Sequence, residues 1–239
     1  MKKANTLMFL LIISTSLKAN DMIDSLKAYT KNMEADKIVS MIIENPQVLD
    51  EQDENGSSGL LIIAYSGIES AFNKAKELKK SFTYHEAIVC GKIDLVKDFL
   101  KQDNGYVNRY SGDGFTPLSL AAFFDQTKIA KLLLKNGADP DLHATNPSKV
   151  NALHSAVAKE NYELCKLLID FGADVNAVQM QNVTPLHSAA HRGNLKLVKL
   201  LIMNGANIHL KMDNGDTALS IAERDGHEEV KQYLESISK

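Results

Sequence analysis

Four segments of six or seven residues between positions 116 and 222 of this 239-residue chain are near-copies of one another. A chain built this way folds as a row of like units rather than around one central core. Thr184-Pro185-Leu186-His187-Ser188-Ala189-Ala190 is echoed by Asn151-Ala152-Leu153-His154-Ser155-Ala156-Val157, by Thr116-Pro117-Leu118-Ser119-Leu120-Ala121-Ala122 and by Thr217-Ala218-Leu219-Ser220-Ile221-Ala222. The central leucines are 35 (Leu118 to Leu153), 33 (Leu153 to Leu186) and 33 (Leu186 to Leu219) residues apart.

Each segment reads as a helix start. Thr116, Asn151, Thr184 and Thr217 offer a side-chain oxygen to cap a helix, and Pro117 and Pro185 stand at the first helical position, where a missing N–H costs nothing. About two turns later the pattern breaks at Asp125, Glu160, Gly193 or Gly226, and a second apolar-periodic run follows, such as Leu195, Leu197, Val198, Leu200, Leu201 and Ile202. That second helix stops at Gly137, Gly172 or Gly205, where glycine enters the left-handed region cheaply. One such helix pair cannot bury both of its apolar faces, so neighbours stack. Ala121, Ala156 and Ala189 then keep adjacent first helices close, leaving the first layer narrow and curving the stack toward it.

The period and the heptad together resemble the ankyrin repeat. The resemblance implies an all-α solenoid of stacked helix-turn-helix units with hairpin-like connectors. Four clear units fall at about 111–145, 146–178, 179–211 and 212–239, the last with the polar outer helix expected of a terminal cap (Glu228, Glu229, Lys231, Gln232, Glu235). Residues 20–110 read as degenerate units of the same kind. Tyr84-His85-Glu86-Ala87 with Gly91 keeps the rhythm, Gly105 and Val107-Asn108 close that unit, and Ala87 lies 34 residues before Ala121. Asn55 to Leu60 resembles a turn and cap, with Gly67 at the inter-helix break, and residues 21–43 read as a first helix pair ending at Asn45-Pro46. Only 24 residues separate Gly67 from Gly91, so a shortened joint without a hairpin is expected near 79–83.

Residues 1–19 read as a secretory signal peptide: Lys2 and Lys3, an apolar run from Leu7 to Ile13, and small residues ending at Ala19, with cleavage after Ser16 as a rival. The run falls short of the roughly 20 apolar residues that span a bilayer. The expectation is an exported protein, periplasmic or secreted, of bacterial type, monomeric and without a membrane span. Loss of Lys2, Lys3 and Lys18 lowers the basic count from 27 to 24 against 30 acidic residues, which disfavours nucleic-acid and anionic-lipid partners. Cys90 and Cys165 sit two units apart, farther than the ~7 Å a disulfide allows. Cys165 is expected to be buried and Cys90 to be the exposed thiol.

No catalytic constellation emerges, and neither enzyme activity nor a cofactor is expected. His187 and His191 have the i, i+4 spacing of a metal pair, yet no third ligand accompanies them. The resemblance implies instead that His187 and His154 hydrogen-bond neighbouring loop backbone. His85-Glu86 lacks the second histidine of a zinc protease helix, because Val89 stands there. Asp53, Asn55 and Gly56 suit a calcium loop, but Ile62 occupies the place of its bidentate glutamate.

The resemblance implies binding of another protein through the hairpin tips and the exposed, concave face of the first helices. The tips map to Asp113 and Phe115, Ser148 and Val150, Gln181 and Val183, and Asn214 and Asp216; the helix positions map to Phe123 and Phe124, Ala158 and Lys159, His191 and Arg192, and Arg224 and Asp225. Phe115, Phe123 and Phe124 would form an apolar patch bordered by the cationic pair His191 and Arg192, unless one ring of the adjacent pair folds under the preceding unit. The function expected is a non-enzymatic interaction scaffold that inhibits or escorts an envelope enzyme or toxin. The alternative is a self-associating structural or assembly protein of the cell envelope.

Overall fold

The computed structural model describes residues 21–238, so the expected leader at 1–19 lies outside the described residues. The chain divides into two compact units between Glu86 and Ala87. Among the described residues the regular structure is helical, with only isolated bridges at Gln52–Ser58 and Gln179–Val183.

In the first unit, α1 (residues 21–31) and α2 (Ala35–Glu44) form a pair that turns at Met33, which takes φ 57°. A second pair, α3 (Gly59–Ser66) and α4 (Glu69–Leu78), turns at Gly67 with φ 72°. Helices α2 and α4 pack together over Ile38, Ile42, Ala71 and Ala75. The calcium-like segment is a side-chain-capped turn: Asp53 Oδ1 accepts the N–H groups of Asn55 and Ser57, both at 3.0 Å. Gly59 opens α3 against the Val48 carbonyl so closely that an added Cβ would lie 2.1 Å from its oxygen. Residues 79–83 continue from α4 as a plain joint, as the short Gly67–Gly91 interval requires.

Lys79 in that joint is buried, and its ammonium reaches Asp50 Oδ1 (2.7 Å), Glu86 Oε1 (2.8 Å) and the Leu49 carbonyl (2.9 Å). Glu86, 1% exposed, also accepts from Ser58 Oγ (2.6 Å) and Thr83 N–H (2.8 Å). A buried ion pair is tolerable when its remaining hydrogen-bonding capacity is filled in this way.

The second unit begins within α5 (Tyr84–Val89) and continues through α6 (Ile93–Gln102), α7 (Pro117–Phe123), α8 (Thr127–Lys135), α9 (Ala152–Ala158), α10 (Tyr162–Asp170), α11 (Pro185–His191), α12 (Leu195–Met203), α13 (Ala218–Arg224) and α14 (Glu228–Ile237). First helices α7, α9, α11 and α13 pack in sequence as one layer, and second helices α6, α8, α10, α12 and α14 as another. Ala121, Ala156, Ala189 and Ala222 are fully buried in the first layer, where a longer side chain would hold the helices apart. The breaks between paired helices are left-handed at Asp125 (57°) and Glu160 (55°) just as at Gly193 (64°) and Gly226 (76°). The expected stops at Gly137, Gly172 and Gly205 take φ of 89°, 93° and 92°. Gly105 departs from that role: it lies inside a short 3₁₀ turn, Asn104–Asn108, with Asp103 accepting its N–H at 2.8 Å. Neither cysteine is in a disulfide; Cys165 is buried, which pushes its thiol up to about 12, and Cys90 is half-buried rather than exposed.

Candidate functional site

The connectors of the second unit end in tight turns. At 111–115 and 212–216 the same pair of backbone bonds closes the turn: Ser111 N–H to the Phe115 carbonyl (2.9 Å) and Gly114 N–H to Ser111 (3.0 Å), then Met212 N–H to Asp216 (2.9 Å) and Gly215 N–H to Met212 (2.9 Å). Gln179 N–H bonds the Val183 carbonyl at 3.0 Å, and the turn between Ala144 and Val150 is wider. Successive turns are joined: Thr145 N–H to Gly114 (2.9 Å), Met180 N–H to Ser148 (3.1 Å) and Asp213 N–H to Gln181 (3.0 Å). The tips therefore stand in a fixed row, with Asp113, Phe115, Val150, Val183 and Asp216 half-buried and Gln181 and Asn214 exposed.

At the other end of the first helices, Phe123 is 40% exposed and meets half-buried Phe124 edge-to-face, ring centroids 5.2 Å apart. The Lys159 ammonium lies 4.7 Å from the Phe123 ring centre, a cation–π contact that holds the lysine across from the next unit. Phe115 lies just before the Thr116 cap of α7 and Phe123 is the last residue of that helix, so the rings come from opposite ends of one short element.

The residues of the expected cationic border stand beside carboxylates. His191 Nδ1 lies 2.6 Å from Asp225, Arg192 lies 3.8 Å from Glu160, and Arg224 bonds both Asp216 (2.6 Å) and Asp225 (3.0 Å). Arg224, then His191, hold the Asp225 carboxyl below its ordinary range. His191 and Arg192 are thus matched by carboxylates one unit away, and Arg224 by carboxylates of its own unit. Glu160 is the partner that sequence reasoning left out of the site, having taken it only as a helix break. Its signal was the repeat interval: Asn194 Nδ2 donates to Glu160 at 2.9 Å, Asn161 Nδ2 donates to Asp125, and His227 Nε2 meets the His191 carbonyl at 2.8 Å, each partner 34 to 36 residues along the chain.

The two heptad histidines are structural. His187 Nδ1 accepts the Thr184 N–H (3.1 Å) and Nε2 reaches the Leu210 carbonyl (3.0 Å). His154 Nε2 reaches the Val183 carbonyl at 3.1 Å. Burial lowers both, His154 to about 4, so the rings are neutral at physiological pH. His187 is therefore committed to the loop rather than to a metal shared with His191. Among the described residues no group of three His, Cys, Asp or Glu side chains is disposed to hold a metal ion, and no helix is long and apolar enough to cross a membrane.

Known proteins share the segment pattern. The chain is 35% identical over 102 residues to ankyrin repeat and SAM domain-containing protein 6 of Rattus norvegicus, covering 43% of this chain and 11% of that protein. It is 34% identical over 94 residues to an ankyrin repeat protein of fowlpox virus (38% of this chain, 15% of the relative). It is 35% identical over 112 residues to transient receptor potential cation channel subfamily A member 1 of Homo sapiens (44% and 10%). The chain thus spans only a small part of these relatives' length. A family model described as ankyrin repeats (3 copies) matches residues 26–144, 84–179 and 153–237. With its paired helices, bonded row of turns and histidine-tied loops covered almost end to end by that model, the chain belongs to the ankyrin-repeat family.

Proposed function

We propose that this protein is a non-enzymatic scaffold that holds a partner protein on the first-helix face of its second unit. Ankyrin repeats generally mediate protein–protein interaction. The observation that carries the reading onto particular residues is exposed Phe123, edge-to-face with half-buried Phe124 and with Lys159 over its ring, on a layer whose alanines already supply the stacking. An exposed aromatic anchor on a pre-ordered surface loses little ordering entropy when a partner covers it. The finer reading is an exported adaptor, periplasmic or secreted, that inhibits or escorts an envelope enzyme or toxin.

The test is Phe123→Ala with Phe124→Ala, followed by crosslinking and affinity capture from the envelope fraction with mass spectrometry. Retained helicity and cooperative melting with loss of the stoichiometric partner supports the assignment; an aromatic hot spot contributes about 2 kcal/mol, roughly thirtyfold in affinity. Unfolding of the double variant would make the rings core and refute it. Sedimentation of the purified chain separates this reading from self-association, which would appear as a concentration-dependent rise in mass.

A further inference from the structure

Three neighbouring second helices of the second unit carry an excess of positive charge. Helices α8, α10 and α12 carry six exposed lysines (Lys128, Lys131, Lys135, Lys166, Lys196 and Lys199) against two carboxylates, Glu163 and Asp170, although the whole chain has a net charge of −3. All three helices of the row pack side by side, and α8 has no acidic residue at all. Two of these lysines are held in place: Lys196 lies over the Tyr162 ring at 3.8 Å and Lys199 over Tyr233 at 5.2 Å. A cation–π contact fixes an ammonium without neutralising it. Only Lys166 is paired with a carboxylate of its own helix, Asp170 at 2.6 Å.

We infer that the outward face of α8, α10 and α12 is a second docking surface, distinct from the first-helix face, and that its occupant is an acidic polypeptide segment. Three features select that occupant. The surface is bounded on one side: α14 presents exposed Glu228, Glu229 and Glu235, whereas the exposed Asp94 and Asp98 of α6 on the other side are matched by Lys97 (2.8 Å) and Lys101 (3.1 Å) of the same helix. A bilayer or a nucleic-acid duplex broad enough to reach from the lysines onto α14 would meet its glutamates and be repelled, whereas a narrow segment avoids them. Helices at 8–10 Å spacing place α8 and α12 about 18 Å apart, which six or so residues of extended chain cross at ~3.3 Å each. The surface also carries apolar anchors: Phe171 at the end of α10 is 42% exposed and Met203 at the end of α12 is 82% exposed. Duplex backbone has no apolar side chain to offer them, and a peptide does. All the cations are lysines, point charges without the planar fork of arginine, so recognition rests on carboxylate density more than on a fixed bidentate pose.

The experiment titrates the full chain into a labelled oligoglutamate peptide carrying two central leucines, at low and at physiological salt. The expected result is saturable binding that weakens with salt, falls at least about tenfold in Lys128→Glu/Lys131→Glu/Lys135→Glu, and is restored when the same three positions are arginine. Circular-dichroism melts confirm that the charge-reversed chain is folded, as exposed substitutions allow. The Phe123→Ala/Phe124→Ala chain binds the peptide like the wild type, which separates this surface from the one proposed above. No binding to the peptide, or equal binding by the charge-reversed chain, overturns the inference. So does binding to phosphatidylglycerol vesicles or duplex DNA in preference to the peptide.

Discussion

Asn151 occupies a position that threonine holds in the three companion segments, and replacing it with threonine should stabilise the protein. In the companions the cap is reciprocal: Ser119, His187 and Ser220 side chains accept the N–H of Thr116, Thr184 and Thr217 at 3.1, 3.1 and 2.9 Å, while each threonine hydroxyl accepts the N–H of its third neighbour. At 151 only half of this exists. Asn151 Oδ1 accepts the His154 N–H at 3.0 Å, but the same oxygen faces His154 Nδ1 at 2.8 Å, and Asn151 Nδ2 is buried with no partner. The neutral ring of His154 has one N–H for two oxygens, Asn151 Oδ1 and the Val183 carbonyl, so one contact sets lone pair against lone pair. A buried unmet donor costs about 1–3 kcal/mol. Threonine removes the orphan amine and leaves Nδ1 free to accept, at the expense of the few tenths by which asparagine caps better. The net expectation is a gain of about 1–2 kcal/mol, which at 2–4 °C per kcal/mol for a chain of this size raises the melting temperature by roughly 2–8 °C. Thermal and urea unfolding of the wild type, Asn151→Thr and the mirror change Thr184→Asn measure it, the mirror change losing a comparable amount. A threonine variant that melts at or below the wild type refutes the reasoning.

Three further outcomes follow from the same structure. Because burial lowers His154 to about 4, below the ordinary ~6.5, the unfolded chain takes up a proton that the folded chain refuses; the stability it contributes is full above pH 6.5 and declines as pH falls toward 4. That contribution is about 3 kcal/mol, and urea midpoints across this range should fall more steeply for the wild type than for His154→Gln. Lys79→Ala strands the buried Glu86 carboxylate and should cost about 3–5 kcal/mol in chemical denaturation, whereas Lys79→Met with Glu86→Leu costs less because no charge is left unpaired. Were the single and double variants equally destabilised, the loss would be one of packing. Cys165 should resist alkylation in the folded chain until denaturant is added, since its buried thiol is held near 12 and only the thiolate reacts; rapid native labelling, read by mass spectrometry, would contradict its burial.

Much of this was legible in the residues because the repeat imposes the same local rule at each pass. Capping side chains at 116, 151, 184 and 217 start the first helices, glycine ends the second ones, and even Asp125 and Glu160 marked breaks correctly, since a left-handed residue is needed there whichever side chain supplies it. Individual helices were readable from local sequence, and their stacking followed because no single pair buries its own faces. The candidate site was less legible. Phe123 and Phe124 are adjacent in the sequence, yet only the folded chain sets their rings edge-to-face. His191 and Arg192 read as cationic because a sequence shows neighbours in the chain, while Asp225 and Glu160 approach them from adjacent units.

The sequence by itself determined the helix boundaries, the two-layer alternation and the identity of the buried alanines, all of which depend on interactions within a few residues or on strict periodicity. Only the tertiary structure decided which charges cancel, which lysines are pinned on tyrosine rings, and that Lys79 and Glu86 are buried together beside Asp50 and Ser58. Those outcomes depend on side chains that stacking or chain reversal brings within a few ångströms of each other, and electrostatic energy depends on that separation in space rather than on separation along the chain.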